Sequence, residues 1–276
     1  MNNIQLLSEP VASEKTTKPI ELYIFIDPLC PNAFKLQSML KKLQLEYEHY
    51  FTWRYVLSTQ LTALNCVTRR IKGCLTGADV DIDITHPALP SLAIKAAELQ
   101  GKKAANRYIR KLQEHALLET KNVHSYTALI EIAKDAKLDQ EEFIKDFGSK
   151  EAVRAFQCDL YITREMEIDE VPSIVFFNEC IEDEGLKVSG MYSYDIYVQI
   201  LQEMLNEEIV SKPLPTFEEL FQRFHCLTTY EVASIYSISM NDAERELKKR
   251  MLQQKIERIS NDAVTFWRLK QSSYSF

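Results

Sequence analysis

A chain of 276 residues with 46% apolar and 26% charged side chains is long enough to bury a sizeable core, as one large domain or two modest ones. Its 33 Lys and Arg against 40 Asp and Glu leave a net charge of −7. That sign argues against a general binder of nucleic acid or anionic membrane, whose affinity comes from cations neutralising phosphates. No apolar run approaches the roughly 20 residues that span a bilayer. MNNIQLLSEPVASEKTTK lacks the charged start and apolar block of a signal peptide. The expectation is a cytoplasmic protein with reduced thiols, not a secreted disulfide scaffold.

Residues 1–18 are polar and aperiodic, which predicts a disordered tail. Glu21–Ile26 is a compact apolar run and reads as a buried strand. It stops at Asp27-Pro28-Leu29-Cys30-Pro31-Asn32, where Pro31 suits the first turn of a helix because its missing N–H is no loss there. Leu36, Met39, Leu40 and Leu43 then form one helical stripe, and the aromatic Tyr50–Leu57 run reads as a second strand.

From about 57 to 164 the chain reads as a helical insertion. Leu89, Leu92, Ala93, Ala96 and Leu99 make one stripe, Tyr126, Leu129, Ile130 and Ala133 another, and Val153, Phe156 and Leu160 begin a third. A loop is expected over Arg69–Thr85. Strand character returns at Val171–Phe177, with Pro172 at the start of the strand, followed by a polar hairpin turn over Asn178–Gly185 and a return strand at Leu186–Gly190. Tyr194, Tyr197, Val198, Leu201 and Leu205 close this unit with an amphipathic helix, so it should span 19–212, and Pro213 and Pro215 mark a linker.

A small unit is expected over 216–270. Phe217, Leu220, Phe221 and Phe224 share a helical face, and Thr228-Thr229-Tyr230-Glu231 reads as an N-cap opening a short helix. A longer helix over Met240–Gln253 and a hairpin from Lys255–Ile259 and Val264–Leu269 complete a winged-helix plan.

The six cysteines (Cys30, Cys66, Cys74, Cys158, Cys180 and Cys226) include no C-x-x-C pair, and five scattered histidines give no metal-ligand spacing. Most read as small buried hydrophobes. His86 and His225 read as structural, and without a Gly-rich phosphate loop neither nucleotide nor other cofactor is expected. Cys30 differs, because it follows the first strand at a helix start while Val171-Pro172 opens a later strand. That pairing resembles the thioredoxin superfamily, in which a helix-capping cysteine faces a proline, usually cis. The helical block between the two halves narrows the resemblance to its DsbA-like branch. Helix-start N–H groups favour a thiolate at Cys30, whereas Asp27 opposes it by like-charge repulsion. Ala33 stands where a dithiol oxidoreductase carries its resolving cysteine, so Cys30 cannot cycle as a disulfide carrier. It can be a packing residue, a regulatory thiol or a catalytic monothiol.

FIDPLCP, IKAAELQGKKAANRYI, REMEIDEVPSIVFFNE, DEGLKVSGMY and ELKKRMLQQKIERI together resemble the SpxH (YjbH) adapters of Gram-positive bacteria, from about Glu21 to Trp267. The resemblance implies a non-enzymatic adapter that binds the transcriptional regulator Spx and hands it to the ClpXP protease, with ClpX a further candidate contact. Some members carry C-x-x-C at this site or a His-rich, metal-binding N-terminus. Here only Cys30 remains and residues 1–48 hold no histidine, so neither disulfide sensing at this site nor zinc regulation transfers.

Two surfaces have competing readings. Glu165–Glu184 carries eight carboxylates (including Glu170, Glu182, Asp183 and Glu184) and no Lys or Arg. It is either a solvated face or a docking surface that steers a basic partner. Residues 214–276 hold nine basic and eight acidic side chains, and Arg245, Lys248, Lys249 and Arg250 are interleaved with Asp242, Glu244 and Glu246. Carboxylates among the arginines repel phosphates, so this helix reads as a protein-contact or packing element. The rival functions are a cytosolic monothiol oxidoreductase using Cys30 and a DNA-binding redox regulator.

Overall fold

Strand β1 (Ile20–Ile26) is buried along almost its whole length and forms the centre of a four-stranded sheet of order β2-β1-β3-β4. In the computed structural model, which describes residues 19–58, 86–178, 185–261 and 264–270, β1 leads through a tight turn into helix α1 (Pro31–Tyr47) and then strand β2 (Phe51–Leu57). β2 pairs parallel to β1, from Ile20 opposite Phe51 to Ile26 opposite Leu57. Strand β3 (Ser173–Phe177) pairs antiparallel to β1, with Phe25 opposite Ser173, and β4 (Leu186–Ser189) pairs antiparallel to β3. Helix α7 (Tyr194–Leu205) closes the unit. Ile24, Ile174, Phe176 and Val188 share a core with Leu36, Leu40 and Leu43 of α1 and with Tyr197 and Leu201 of α7. The expected tail, the Arg69–Thr85 loop, Cys66, Cys74, Cys180, and Glu182, Asp183 and Glu184 of the expected hairpin turn lie outside the described residues.

Between β2 and β3 come helices α2 (Leu89–Leu99), α3 (Lys102–Leu117), α4 (Tyr126–Asp135), α5 (Gln140–Phe147) and α6 (Lys150–Glu165). The starts of α4, α5 and α6 are set by short polar caps. Ser125, Asp139 and Ser149 each accept the backbone N–H three residues on, at 3.0–3.2 Å. Gly101, at φ +107°, makes the joint between α2 and α3, a conformation that side chains resist. The expected α2 stripe ends a turn early, since Leu99 is 48% exposed. The bundle is tied to β2 by Asp159, whose Oδ2 accepts the Leu57 N–H at 2.8 Å and pairs with Lys95 at 2.7 Å. Burial raises the Asp159 carboxyl above its usual range, against the opposing pull of Lys95.

After a linker come α8 (Phe217–Phe224), β5 (Cys226–Thr228), α9 (Thr229–Tyr236), α10 (Met240–Leu252), β6 (Ile256–Ser260) and β7 (Thr265–Leu269). Thr216 and Thr228 both open their helices with a capping box, completed by Glu219 and Glu231. The hairpin expected from the sequence is β6–β7, but it is joined by β5 in a three-stranded sheet of order β5-β7-β6. β5 has only three residues and runs straight into a helix cap, so it leaves no readable alternation. Leu220, Phe221, Leu227, Val232, Ile235, Leu247 and Trp267 make a core that also takes in Leu45 of α1.

Candidate functional site

The turn after β1 is held by backbone geometry. The Cys30 N–H donates to the Asp27 carbonyl at 3.1 Å, and Asp27 Oδ1 accepts the Leu29 N–H at 3.0 Å. The Asp27 carboxylate is thereby engaged with the turn itself. Cys30 is the N-cap of α1, in extended backbone geometry, half-buried and with no side-chain capping bond, and Pro31 occupies the first turn. Ala33 is fully buried on the same helix.

Val171-Pro172 is a cis peptide. Since Ser173 pairs with Phe25, Pro172 falls at the end of the sheet where β1 gives way to the turn that carries Cys30. The Pro172 carbonyl accepts the Gly190 N–H at 2.9 Å, and the Ser173 hydroxyl donates to the Glu170 carbonyl at 2.6 Å. Cys30 and Pro172 therefore share one end of the sheet, with Glu170 exposed beside them.

The larger polar feature of the molecule was not anticipated. Arg110 of α3 makes a bidentate pair with Glu231 of α9, Nη1 to Oε1 at 2.9 Å and Nη2 to Oε2 at 2.7 Å, while Nη2 also donates to the Cys226 carbonyl at 3.0 Å. Lys41 of α1 donates to the same Glu231 Oε1. Glu231 Oε2 also accepts the Thr228 N–H at 2.7 Å, so one carboxylate closes a helix cap and binds two cations. The Arg110 guanidinium lies over the rings of Phe34 and Phe266, at 5.5 and 5.3 Å from their centroids.

Burial alone would raise the Glu231 carboxyl, but Arg110 and Lys41 overcome it and hold it at about 2. Burial lowers the Lys41 ammonium, more than its attraction to Glu231 raises it. Around this centre, Glu114 pairs with Arg268 of β7, and Asn261 Nδ2 donates to the Leu117 carbonyl at 3.0 Å. Gln113 Nε2 donates to the Pro28 carbonyl at 3.1 Å, so α3 braces both the Cys30 turn and the C-terminal elements. Sequence reading saw Glu231 only as a capping residue. The three charges are separated by 69 and 121 positions, and no local spacing announces their meeting.

Glu165, Glu167, Asp169 and Glu170 are exposed, which suits a solvated face and a docking face alike, while Glu182, Asp183 and Glu184 lie outside the described residues. On α10 every basic side chain pairs within the helix: Arg245 with Asp242, Lys248 with Glu244, and Lys249 and Arg250 with Glu246. Among the described residues no group of three His, Cys, Asp or Glu side chains is placed to hold a metal, and no helix is long and apolar enough to cross a membrane.

A four-stranded 2-1-3-4 sheet, a cysteine capping α1, a cis-proline opening β3 and helices set between β2 and β3 define a thioredoxin fold of the DsbA type. Residues 23–199 match the family described as thioredoxin. A solved structure titled as a probable DsbA oxidoreductase from Streptomyces coelicolor superposes with a TM-score of 0.51 at 13% identity, covering 71% of this chain and 94% of that one. Over nearly the whole length, the chain is 40% identical to the ClpXP adapter protein SpxH of Halalkalibacterium halodurans, covering 92% of this chain and 90% of the relative. It is 39% identical to the protein of the same name from Bacillus subtilis, covering 94% and 91%. The chain belongs to the SpxH family of ClpXP adapter proteins.

Proposed function

We propose that this protein binds the transcriptional regulator Spx in the cytoplasm and promotes its degradation by ClpXP, adding no covalent chemistry of its own. The observation that carries this reading is likeness to named ClpXP adapters across more than nine-tenths of the chain, the C-terminal elements included. Ala33 supports it, since the position of a resolving thiol holds a buried methyl group. The mechanism is presentation: Spx is held so that a terminal degradation signal becomes accessible, with ClpX as a further candidate contact. The chain divides into a DsbA-like unit over 19–212 and a winged-helix-like unit over 216–270, joined by the Arg110–Glu231–Lys41 cluster. The acidic face that includes Glu170, Glu182, Asp183 and Glu184 steers the basic side of the partner.

The test is the rate of Spx degradation by purified ClpXP with and without this protein, repeated with Cys30→Ala. Acceleration by both versions establishes a thiol-independent adapter. Acceleration lost in the variant makes Cys30 a functional thiol, and no acceleration by either removes the assignment. One observation favours a second reading, a monothiol oxidoreductase: Cys30 caps α1 at the end of the sheet where the cis-proline lies. Multiple-turnover reduction of insulin would select it.

A further inference from the structure

Ten large apolar side chains are well exposed among the described residues, and four of them fall within eleven positions: Leu186 (40%), Met191 (38%), Tyr192 (50%) and Ile196 (38%). Single exposed hydrophobics need no explanation, but a cluster marks an interaction surface. These four span β4, the turn after it and the first turn of α7. Leu186 stands opposite Phe176, at the end of β4 away from Gly190, whereas Met191, Tyr192 and Ile196 follow one another over the turn and first helical turn at the Pro172 end of the sheet.

The backbone beneath the cluster is fixed. Gly190 adopts φ +83°, and its N–H is held by the Pro172 carbonyl at 2.9 Å. The Tyr192 N–H donates to the hydroxyl of buried Tyr197 at 3.3 Å, and the Ile196 N–H to the Ser193 carbonyl at 3.2 Å. A surface whose frame is already ordered loses less entropy on binding.

Its rim is acidic. The Glu170 carboxylate lies against Gly190, with Oε1 3.5 Å from where a Cβ there would sit. Glu170 and Asp195 are exposed, and neither forms an ion pair with a described residue. Glu165, Glu167 and Asp169 extend the negative field, while the nearby cation Lys187 is drawn to the Glu167 carbonyl at 2.8 Å. A second copy of this chain would set two carboxylate rims against each other, and anionic lipid or nucleic acid would be repelled.

We propose that Met191, Tyr192 and Ile196, rimmed by Glu170 and Asp195, form the docking surface for the client, which meets it with aliphatic side chains flanked by Lys or Arg. This rests on the adapter reading above and names the surface that serves it. The apolar group supplies the anchors and the carboxylates supply encounter rate and orientation.

The experiment measures the affinity of purified Spx for the full chain and for three variants. Tyr192→Ala with Ile196→Ser weakens binding at least tenfold at any salt concentration. Glu170→Lys with Asp195→Lys weakens it several-fold at low salt, with the difference shrinking at high salt. Met240→Ser with Leu252→Ser, on the exposed side of α10, leaves it unchanged. Far-UV circular dichroism verifies the fold of each, and the two patch variants alter different side chains, so loss of one to misfolding leaves the other decisive. Wild-type binding with both patch variants equal to it overturns the surface and leaves the adapter reading standing. Absence of wild-type binding overturns both.

Discussion

Arg110 and Glu231 form a two-point ion pair across 121 positions of sequence, with the carboxylate fully buried at the N-terminus of α9. Lys41 shares the carboxylate, so the helix that carries Cys30, the helical insertion and the C-terminal elements converge on one side chain. Two cations on one carboxylate, out of water, make the arrangement sensitive to its centre: a buried pair adds little net stability, but removing one member strands the rest.

Glu231→Gln therefore destabilises the protein by about 3–5 kcal/mol, the range for breaking a buried ion pair by removing one partner. The amide keeps the size of the side chain but leaves Arg110 and Lys41 without a counter-charge. Urea unfolding followed by tryptophan fluorescence checks it, because Trp267 is fully buried and its Nε1 donates to Thr229 Oγ1 at 2.9 Å. A loss of unfolding free energy smaller than about 1 kcal/mol would show that water reaches and screens the cluster.

The same residue sets an acid limb. An unperturbed glutamate titrates near about 4.3, whereas Glu231 is held at about 2 in the folded protein. A depressed carboxylate stabilises the fold above its unfolded value, and that contribution is lost as pH falls through the folded one. Stability should drop progressively between about pH 4.5 and pH 2. Glu231→Gln should flatten that part of the curve. Burial moves the Lys41 ammonium the same way, below its ordinary value of 10.5, against the pull of Glu231. Equal acid slopes for the two proteins would contradict the assignment.

The elements most legible in the sequence were those whose signals are local. Pro31 after Cys30, the Leu36–Leu43 stripe, Val171-Pro172 and the Thr228/Glu231 cap each announce themselves within a few residues, and each lies where the sequence places it. β5 was hidden because three residues carry no alternation, and its pairing with β7 and the burial of Leu227 in the C-terminal core arise only in the tertiary structure. Leu99 fits the helical period of α2 yet is exposed, since the stripe outlasts the surface available to cover it. The Lys41–Arg110–Glu231 meeting was illegible for a different reason: three ordinary surface-type residues become a buried cluster only through the tertiary placement of their helices.

Duplex DNA should not bind. Lys248 and Lys249 are matched by Glu244 and Glu246 at 2.8 and 2.6 Å, Arg245 by Asp242 at 3.1 Å, and Arg250 by Glu246 at 2.9 Å. A phosphate approaching α10 meets these carboxylates along with each cation. Gel-shift assays at low salt should show no complex in the micromolar range. Salt-dependent binding, with affinity falling steeply as ions are added, would restore the DNA-binding reading.

Cys30 and Ala33 are the residues on which the adapter reading and the oxidoreductase reading differ. A dithiol oxidoreductase releases its partner when a second thiolate of the same chain attacks the mixed disulfide at the first cysteine, expelling the partner as a thiolate and leaving an intramolecular disulfide. With a methyl group at position 33 that second attack has no source within the α1 start. The wild-type protein should accordingly form at most one mixed disulfide per chain with glutathione disulfide at Cys30 and should not reduce insulin with multiple turnover. Ala33→Cys restores the missing thiol one helical turn away. Because Ala33 is fully buried, the added sulfur overpacks the core and lowers stability by about 1–3 kcal/mol. The variant should nevertheless gain an internal disulfide under diamide, seen as a loss of about 2 Da by mass spectrometry for one bond formed from two thiols, together with dithiothreitol-driven turnover of insulin. Turnover by the wild-type protein, abolished by Cys30→Ala, would instead make the half-buried thiol at the α1 cap a catalytic group.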